Sequence, residues 1–148
     1  MKPKFQNQDL SGRDALTWTA AVGHLEVIKL LSKNVKPNAP GKDKDQRNVI
    51  LWAAGGGHYE VVDYLIKCNS IETDAEDFDT NRKDKNERTP LSWTAALGLK
   101  DIVHMIIEVE GIDISAQNME DQIPILRAEA FGYINIIDIL KNKGKSGF

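Results

Sequence analysis

The 148-residue sequence predicts an all-α fold, a solenoid of stacked helix-turn-helix hairpins. Three observations carry that expectation. One short pattern occurs four times: Trp18-Thr19-Ala20-Ala21 before Gly23, Trp52-Ala53-Ala54 before Gly57, Trp93-Thr94-Ala95-Ala96 before Gly98, and a degraded Arg127-Ala128-Glu129-Ala130 before Gly132. The glycines are spaced by 34, 41 and 34 residues, and a period in that range marks a repeat array. Each glycine is followed by a second amphipathic run, such as Leu25-Glu26-Val27-Ile28 or Tyr59-Glu60-Val61-Val62. A hairpin of about twenty residues cannot bury its own apolar stripe, and stacking each on the next makes one continuous core. Ala20, Ala54 and Ala95 share one phase, where small side chains let neighbouring helices approach.

Taken in order, residues 1–9 carry little apolar pattern, and Pro3 argues against an early helix. Asp9-Leu10-Ser11-Gly12-Arg13 reads as a turn. The first inner helix is expected from about Ala15 to Val22, closed by Gly23-His24. Its outer partner opens near Glu26, carries Val27, Leu30 and Leu31 on one stripe, and stops at Asn34 before Pro37. Asp43-Lys44-Asp45-Gln46-Arg47 forms the second tip, followed by an inner helix over about Val49 to Gly56. The run Gly55-Gly56-Gly57 weakens its last turn by roughly 1 kcal/mol per glycine. The next outer helix spans about Tyr59 to Lys67, with Val61, Val62, Leu65 and Ile66 facing inward.

The interval to the third repeat is seven residues longer than the other two, and residues 72–79 hold five acids in eight positions, which reads as an enlarged loop. Asp84-Lys85-Asn86-Glu87-Arg88 is the third tip. Thr89 is placed to cap the following helix and Pro90 to occupy its first position. Ile102, Val103, Ile106 and Ile107 make the outer apolar face, which Gly111 should end. In the fourth repeat Arg127 replaces the tryptophan, Glu129 replaces a small residue, and Lys141, Lys143 and Lys145 crowd the end, as suits a terminal hairpin. Ile134, Ile136, Ile137, Ile139 and Leu140 leave little outer face that is plainly polar, so exposed apolar surface is expected there. The organisation is thus one domain over 1–148, with repeats at about 9–42, 43–83, 84–117 and 118–148 and an acidic loop within 70–83.

Composition narrows the function. A net charge of −3 and the lack of any long basic run argue against nucleic acid. The single cysteine, Cys68, excludes an intrachain disulfide and suits a reducing compartment. No apolar stretch approaches a membrane span and the N-terminus lacks a signal-peptide core, so an intracellular, cytoplasmic location is expected.

Thr89-Pro90-Leu91-Ser92-Trp93-Thr94-Ala95-Ala96-Leu97-Gly98 followed by Asp101-Ile102-Val103 resembles an ankyrin repeat, as do the copies around Trp18 and Trp52. With the fourth copy, the resemblance covers about residues 7–144. Placing Ser92-Trp93 between Leu91 and the small pair resembles a variant common in fungal ankyrin arrays. The resemblance implies a solenoid whose helix pairs are joined by β-hairpin-like finger loops. The sequence also departs from the family. The histidine that ties adjacent repeats is here Thr17, Leu51, Ser92 and Leu126, and Thr-Pro survives only at Thr89-Pro90, so lower and less uniform stability is expected.

The resemblance also implies a non-enzymatic module that grips another protein or a peptide by its tips and inner helices, with no cofactor. The positions this assigns are Arg13, Lys44, Asp45, Arg47, Lys85, Asn86, Arg88, Met119 and Gln122 on the tips, and Val22, Leu97 and Phe131 on the inner helices. Arg13, Arg47 and Arg88 fall at one phase, and a row of guanidinium forks suits carboxylates or phosphates. Alternatively, each arginine pairs with a tip acid such as Asp14, Asp45 or Glu87 and holds the hairpins in register. Trp18, Trp52 and Trp93 are expected at packing positions between repeats, and His24 and His58 in the helix-helix turns, too far apart to share a metal.

Two further readings compete. The chain is a structural or regulatory subunit, monomeric alone, that docks through its C-terminal end at about 136–148; or residues 72–79 form a metal-sensitive loop. Asp74, Glu76, Asp77 and Asp79 stand at near-alternate positions in that loop, but the central glycine and the terminal glutamate spacing of a calcium loop are absent. No catalytic constellation emerges: Ser92 has no histidine at its phase, and Gly55-Gly56-Gly57 lacks the ending of a phosphate loop.

Overall fold

The computed structural model describes residues 9–34, 43–69 and 80–146. Its helices are α1 (Ala15–Val22), α2 (Leu25–Asn34), α3 (Val49–Gly55), α4 (Tyr59–Asn69), α5 (Pro90–Leu97), α6 (Lys100–Ile107), α7 (Pro124–Phe131) and α8 (Ile134–Ser146). Local chemistry starts each inner helix. The side chains of Asp14, Asn48 and Thr89 accept the amides of Thr17, Leu51 and Ser92, satisfying donors that a helix leaves unpaired at its first turn. α7 has no capping side chain; Pro124 at its start has no amide to satisfy. Gly98 ends α5 at φ 74°, and a Cβ there would fall 2.7 Å from the Tyr133 ring, so chain direction and close packing both call for glycine.

Consecutive helices pair as antiparallel hairpins, the inner helices α1, α3, α5 and α7 stack in sequence, and the outer helices α2, α4, α6 and α8 stack behind them. Ala20, Ala53, Ala54, Ala95 and Ala128 are fully buried between the inner helices, where larger side chains would force them apart. Ile28, Val61, Val62, Leu65, Val103, Ile106 and Ile136 come from the outer helices and complete the core, each worth roughly 1.5–3 kcal/mol of burial.

The β-hairpin-like finger loops expected from the resemblance are absent: no strand occurs among the described residues. Each tip is instead a closed five-residue turn. In the second, the Asp43 amide donates to Arg47 O (3.2 Å) and the Gln46 amide to Asp43 O (3.0 Å). Asp43 Oδ1 takes the amides of Asp45 and Arg47 at 2.9 Å each, so these donors have no share in a β ladder. Neighbouring turns are joined by one backbone bond apiece: the amides of Lys44, Lys85 and Met119 donate to the carbonyls of Ser11, Asp45 and Asn86 at 2.9, 2.8 and 3.1 Å.

Other differences from expectation are local. α6 ends at Ile107; two tight turns follow, closed by the Val109 and Ile112 amides, and Gly111 lies in the second. Ile136 and Leu140 of α8 are buried and Ile137 and Ile139 pack partly against the core, which leaves Ile134 as the exposed isoleucine of that set. The acidic stretch 72–79 lies outside the described residues.

The fourth residue of each tip has positive φ: Gly12 at 79°, but Gln46 at 61°, Glu87 at 59° and Asp121 at 58°. A side chain in this region costs energy that glycine avoids. Glu87→Gly should therefore raise stability by about 0.5–1 kcal/mol, read as a higher urea midpoint. The Lys83 contact it removes, 3.9 Å long and exposed, contributes little. A lower midpoint would show that the turn is not strained.

Candidate binding face

The tips and inner helices are coupled by one recurring group of side chains. An aspartate opens the turn, an arginine follows four residues later, and a tryptophan nine residues later: Asp9-Arg13-Trp18, Asp43-Arg47-Trp52 and Asp84-Arg88-Trp93. In each, Oδ1 accepts two backbone amides of the turn, while Oδ2 accepts Arg Nε at 3.0, 2.8 and 2.9 Å. The same Oδ2 accepts the indole N–H at 2.9, 3.1 and 3.2 Å. The arginine held this way lies over its tryptophan, with its guanidinium carbon 3.8, 4.0 and 4.2 Å from the ring centroid in the three repeats. Arg13 also faces Trp52 at 5.3 Å, extending the stack across the first two repeats.

The fourth turn carries a neutral version, Asn118-Gln122-Arg127. Asn118 Oδ1 still accepts the amides of Glu120 and Gln122, and Arg127 now donates to Gln122 Oε1 at 3.1 Å.

Between the second and third groups the stack opens into a cleft of about 170 Å³, lined by Ala21, Arg47, Leu51, Trp52, Gly55, Gly56 and Trp93. Arg47 forms its charged wall, yet that charge is compensated: Nε bonds Asp43 and one terminal nitrogen lies 2.9 Å from Asp45. Asp45 in turn takes Lys85 of the next tip at 2.7 Å.

The sequence-assigned positions distribute unevenly over this face. Val22, Leu97 and Phe131 are the last residues of α1, α5 and α7 and are half-exposed, Phe131 stacking on Tyr133. Met119 and Lys44 are exposed on their tips, Asn86 and Gln122 half-buried. Arg13, Arg47 and Arg88 are bonded within their own tips, to Asp9, Asp43 with Asp45, and Asp84; Asp14 instead caps α1. Trp52 and Trp93 are half-buried and Trp18 is exposed; none joins the buried core cluster. His58 Nε2–H donates to the Ala21 carbonyl of the preceding pair at 2.9 Å, whereas His24 is exposed. Thr89 and Pro90 sit at the start of α5.

Sequence reasoning passed over Asp9, Asp43 and Asp84. Their signal was present as Asp-x-x-x-Arg-x-x-x-x-Trp in three repeats at one phase. Among the described residues no three His, Cys, Asp or Glu side chains gather to hold a metal ion, and no helix is long and apolar enough to cross a membrane.

Stacked helix pairs joined by short turns define a helical repeat protein. A family model described as ankyrin repeats (3 copies) matches residues 1–77, just over half of the chain, and the chain belongs to the ankyrin-repeat family. No curated protein matches the chain.

Two outcomes follow from the tip groups. Asp84 is buried and serves two amides, Arg88 and Trp93, so Asp84→Ala should cost about 3 kcal/mol in a urea titration. Asp84→Asn should cost less than half of that, because the fourth turn keeps both backbone bonds with an amide; equal losses would refute the division of labour between the two oxygens. The second outcome concerns pH. The Arg13 amide, followed by that of Ser11 and the Arg13 and Trp18 side chains, holds the Asp9 carboxyl below its usual range against its own desolvation. The Lys85 ammonium, then the charge of Arg47, does the same for Asp45. A depressed folded pKa gives stability that is present above the unfolded value of about 3.9 and lost as pH falls through the folded one. The Asp9→Asn/Asp45→Asn double variant should thus lose stability less steeply than wild type below pH ~4.

Proposed function

We propose that the chain is a non-enzymatic interaction module of four ankyrin repeats, at about 9–42, 43–83, 84–117 and 118–148, that binds a partner protein or peptide on the face made by its tips and inner helices. The observation that carries this is the row of Val22, Leu97 and Phe131, 49%, 44% and 58% exposed, at matching ends of α1, α5 and α7. These apolar side chains have little part in the core, and their shared phase gathers them on one side, unlike scattered surface apolar residues. Aromatic residues such as Phe131, together with arginine, are enriched at protein interfaces, and Val22 and Leu97 add apolar area beside it. The family supports an interaction role, and Arg13, Arg47 and Arg88, each bonded to its own tip aspartate, flank that row.

The test uses Leu97→Ser/Phe131→Ser, which leaves the tip groups intact. As bait in the source lysate, this variant should retain its helical circular dichroism and lose the proteins that wild type captures at least tenfold, the effect of removing an anchor worth about 1–2 kcal/mol. Lys141→Ser on α8 should change nothing. Capture unaffected by the double variant would overturn the reading. Ile134→Ser, run beside it, addresses docking through the C-terminal end, where Leu126 and Ile134 are 45% and 70% exposed; loss from that bait alone would move the interface there.

A further inference from the structure

We infer that the cleft at Gly55 and Gly56, between Trp52 and Trp93, is an anchor pocket for one Phe- or Leu-sized side chain of an extended peptide, and that Arg88 grips a carboxylate beside that side chain. The inference rests on the binding face proposed above and names what that face selects.

Size and lining come first. About 170 Å³ is close to the ~150 Å³ cavity that accepts a benzene ring, and below the ~300 Å³ at which sites for whole small molecules begin. Leu51 and Ala21, the two indoles and glycine backbone make an apolar lining. The one charge, on Arg47, is compensated by Asp43 and Asp45. A cationic side chain would meet that guanidinium; an apolar one gains from leaving water.

Gly55 then points to use. It closes α3 without positive φ, and a Cβ built on it would meet nothing within 4 Å. Alanine would fit and favour the helix, so the fold gives no reason for glycine here. Gly56 differs, because its Cβ would come 2.7 Å from the His58 ring. Gly56 also occupies the phase of Val22, Leu97 and Phe131, so the apolar row is interrupted at the one place where the cleft opens.

The carboxylate follows from Arg88. Its Nε is bonded to Asp84, and it lies over Trp93, one wall of the cleft. Where Arg47 has Asp45 for its terminal nitrogen, the matching residue of the third tip is the neutral Asn86. Asp84 is thus the one acid paired with Arg88 among the described residues, through Nε, and the half-buried terminal fork is set to take a second carboxylate.

The experiment selects random linear peptides displayed on phage against the full chain, then measures synthetic versions by fluorescence polarisation. The selected peptides should carry Phe or Leu within two positions of Asp or Glu. Gly55→Leu, which fills the pocket from a position with open space, should weaken them at least tenfold. Arg88→Gln, a residue that the fourth turn holds at this phase, should weaken acidic peptides and leave their amide counterparts unchanged. Equal binding to wild type and Gly55→Leu overturns the pocket, and equal loss of acidic and amide peptides on Arg88→Gln overturns the carboxylate grip. If such peptides still lose affinity on Leu97→Ser/Phe131→Ser, the binding face stands and the pocket alone falls. If no peptide is enriched, or none responds to any of these changes, both fall.

Discussion

One carboxylate in each of the first three repeats governs this structure. Asp43 is buried, and its two oxygens serve the amides of Asp45 and Arg47, the guanidinium of Arg47 and the indole of Trp52. A buried charge is costly unless every lone pair is used, and here the partners come from the turn, the end of the turn and the inner helix. Satisfying the charge therefore fixes three things at once: how the tip closes, where the arginine lies, and how the tryptophan stands relative to both. The cleft lined by Arg47, Trp52 and Trp93 is a consequence of that placement.

The turns in turn depend on the spacing of the helices behind them. Buried Ala20, Ala54 and Ala95 set a close approach between α1, α3 and α5, and at that approach one backbone bond can join each tip to the next. His58 adds a second tie on the opposite end of α1, donating to the Ala21 carbonyl that the helix would otherwise leave open. The first two inner helices are thus tied at both ends. Ser92 and Arg127 are exceptions: the Ser92 hydroxyl and Arg127 Nε are buried without a partner among the described residues, Ser92 at a position where the family resemblance leads one to expect a histidine that bonds its neighbours.

Helix positions were legible because they depend on short-range signals. Asp14, Asn48 and Thr89 precede small apolar runs that glycines end, and α1 spans the expected Ala15–Val22. The finger loops were not, because strand formation depends on which acceptor takes an amide, and the Asx bonds of Asp9, Asp43 and Asp84 decide that locally. The arginine row was visible as a phase and its bonding in part: of the tip acids Asp14, Asp45 and Glu87, Asp45 does pair with Arg47, whereas the partner common to all three repeats is the aspartate four positions back. The inward turn of α8 was missed for another reason. Ile136, Ile137, Ile139 and Leu140 crowd the sequence, but helical geometry brings the buried Ile136 and Leu140 onto one stripe.

The fourth tip separates the two oxygens of the aspartate. With Asn118 in place, the turn keeps both amide bonds and positive φ at Asp121, so the backbone needs only the Oδ1 acceptor. What the amide lacks is the charged Oδ2, and there the arginine of the turn becomes Gln122 and the tryptophan becomes Arg127. Charge, guanidinium and indole thus change together, as they should if Oδ2 exists to place the other two. A tip that needs only to fold can do so with a neutral acceptor. The three tips that retain aspartate use its charge, buried at Asp43 and Asp84, to hold arginine against tryptophan, and two of those groups wall a cleft with room for a guest.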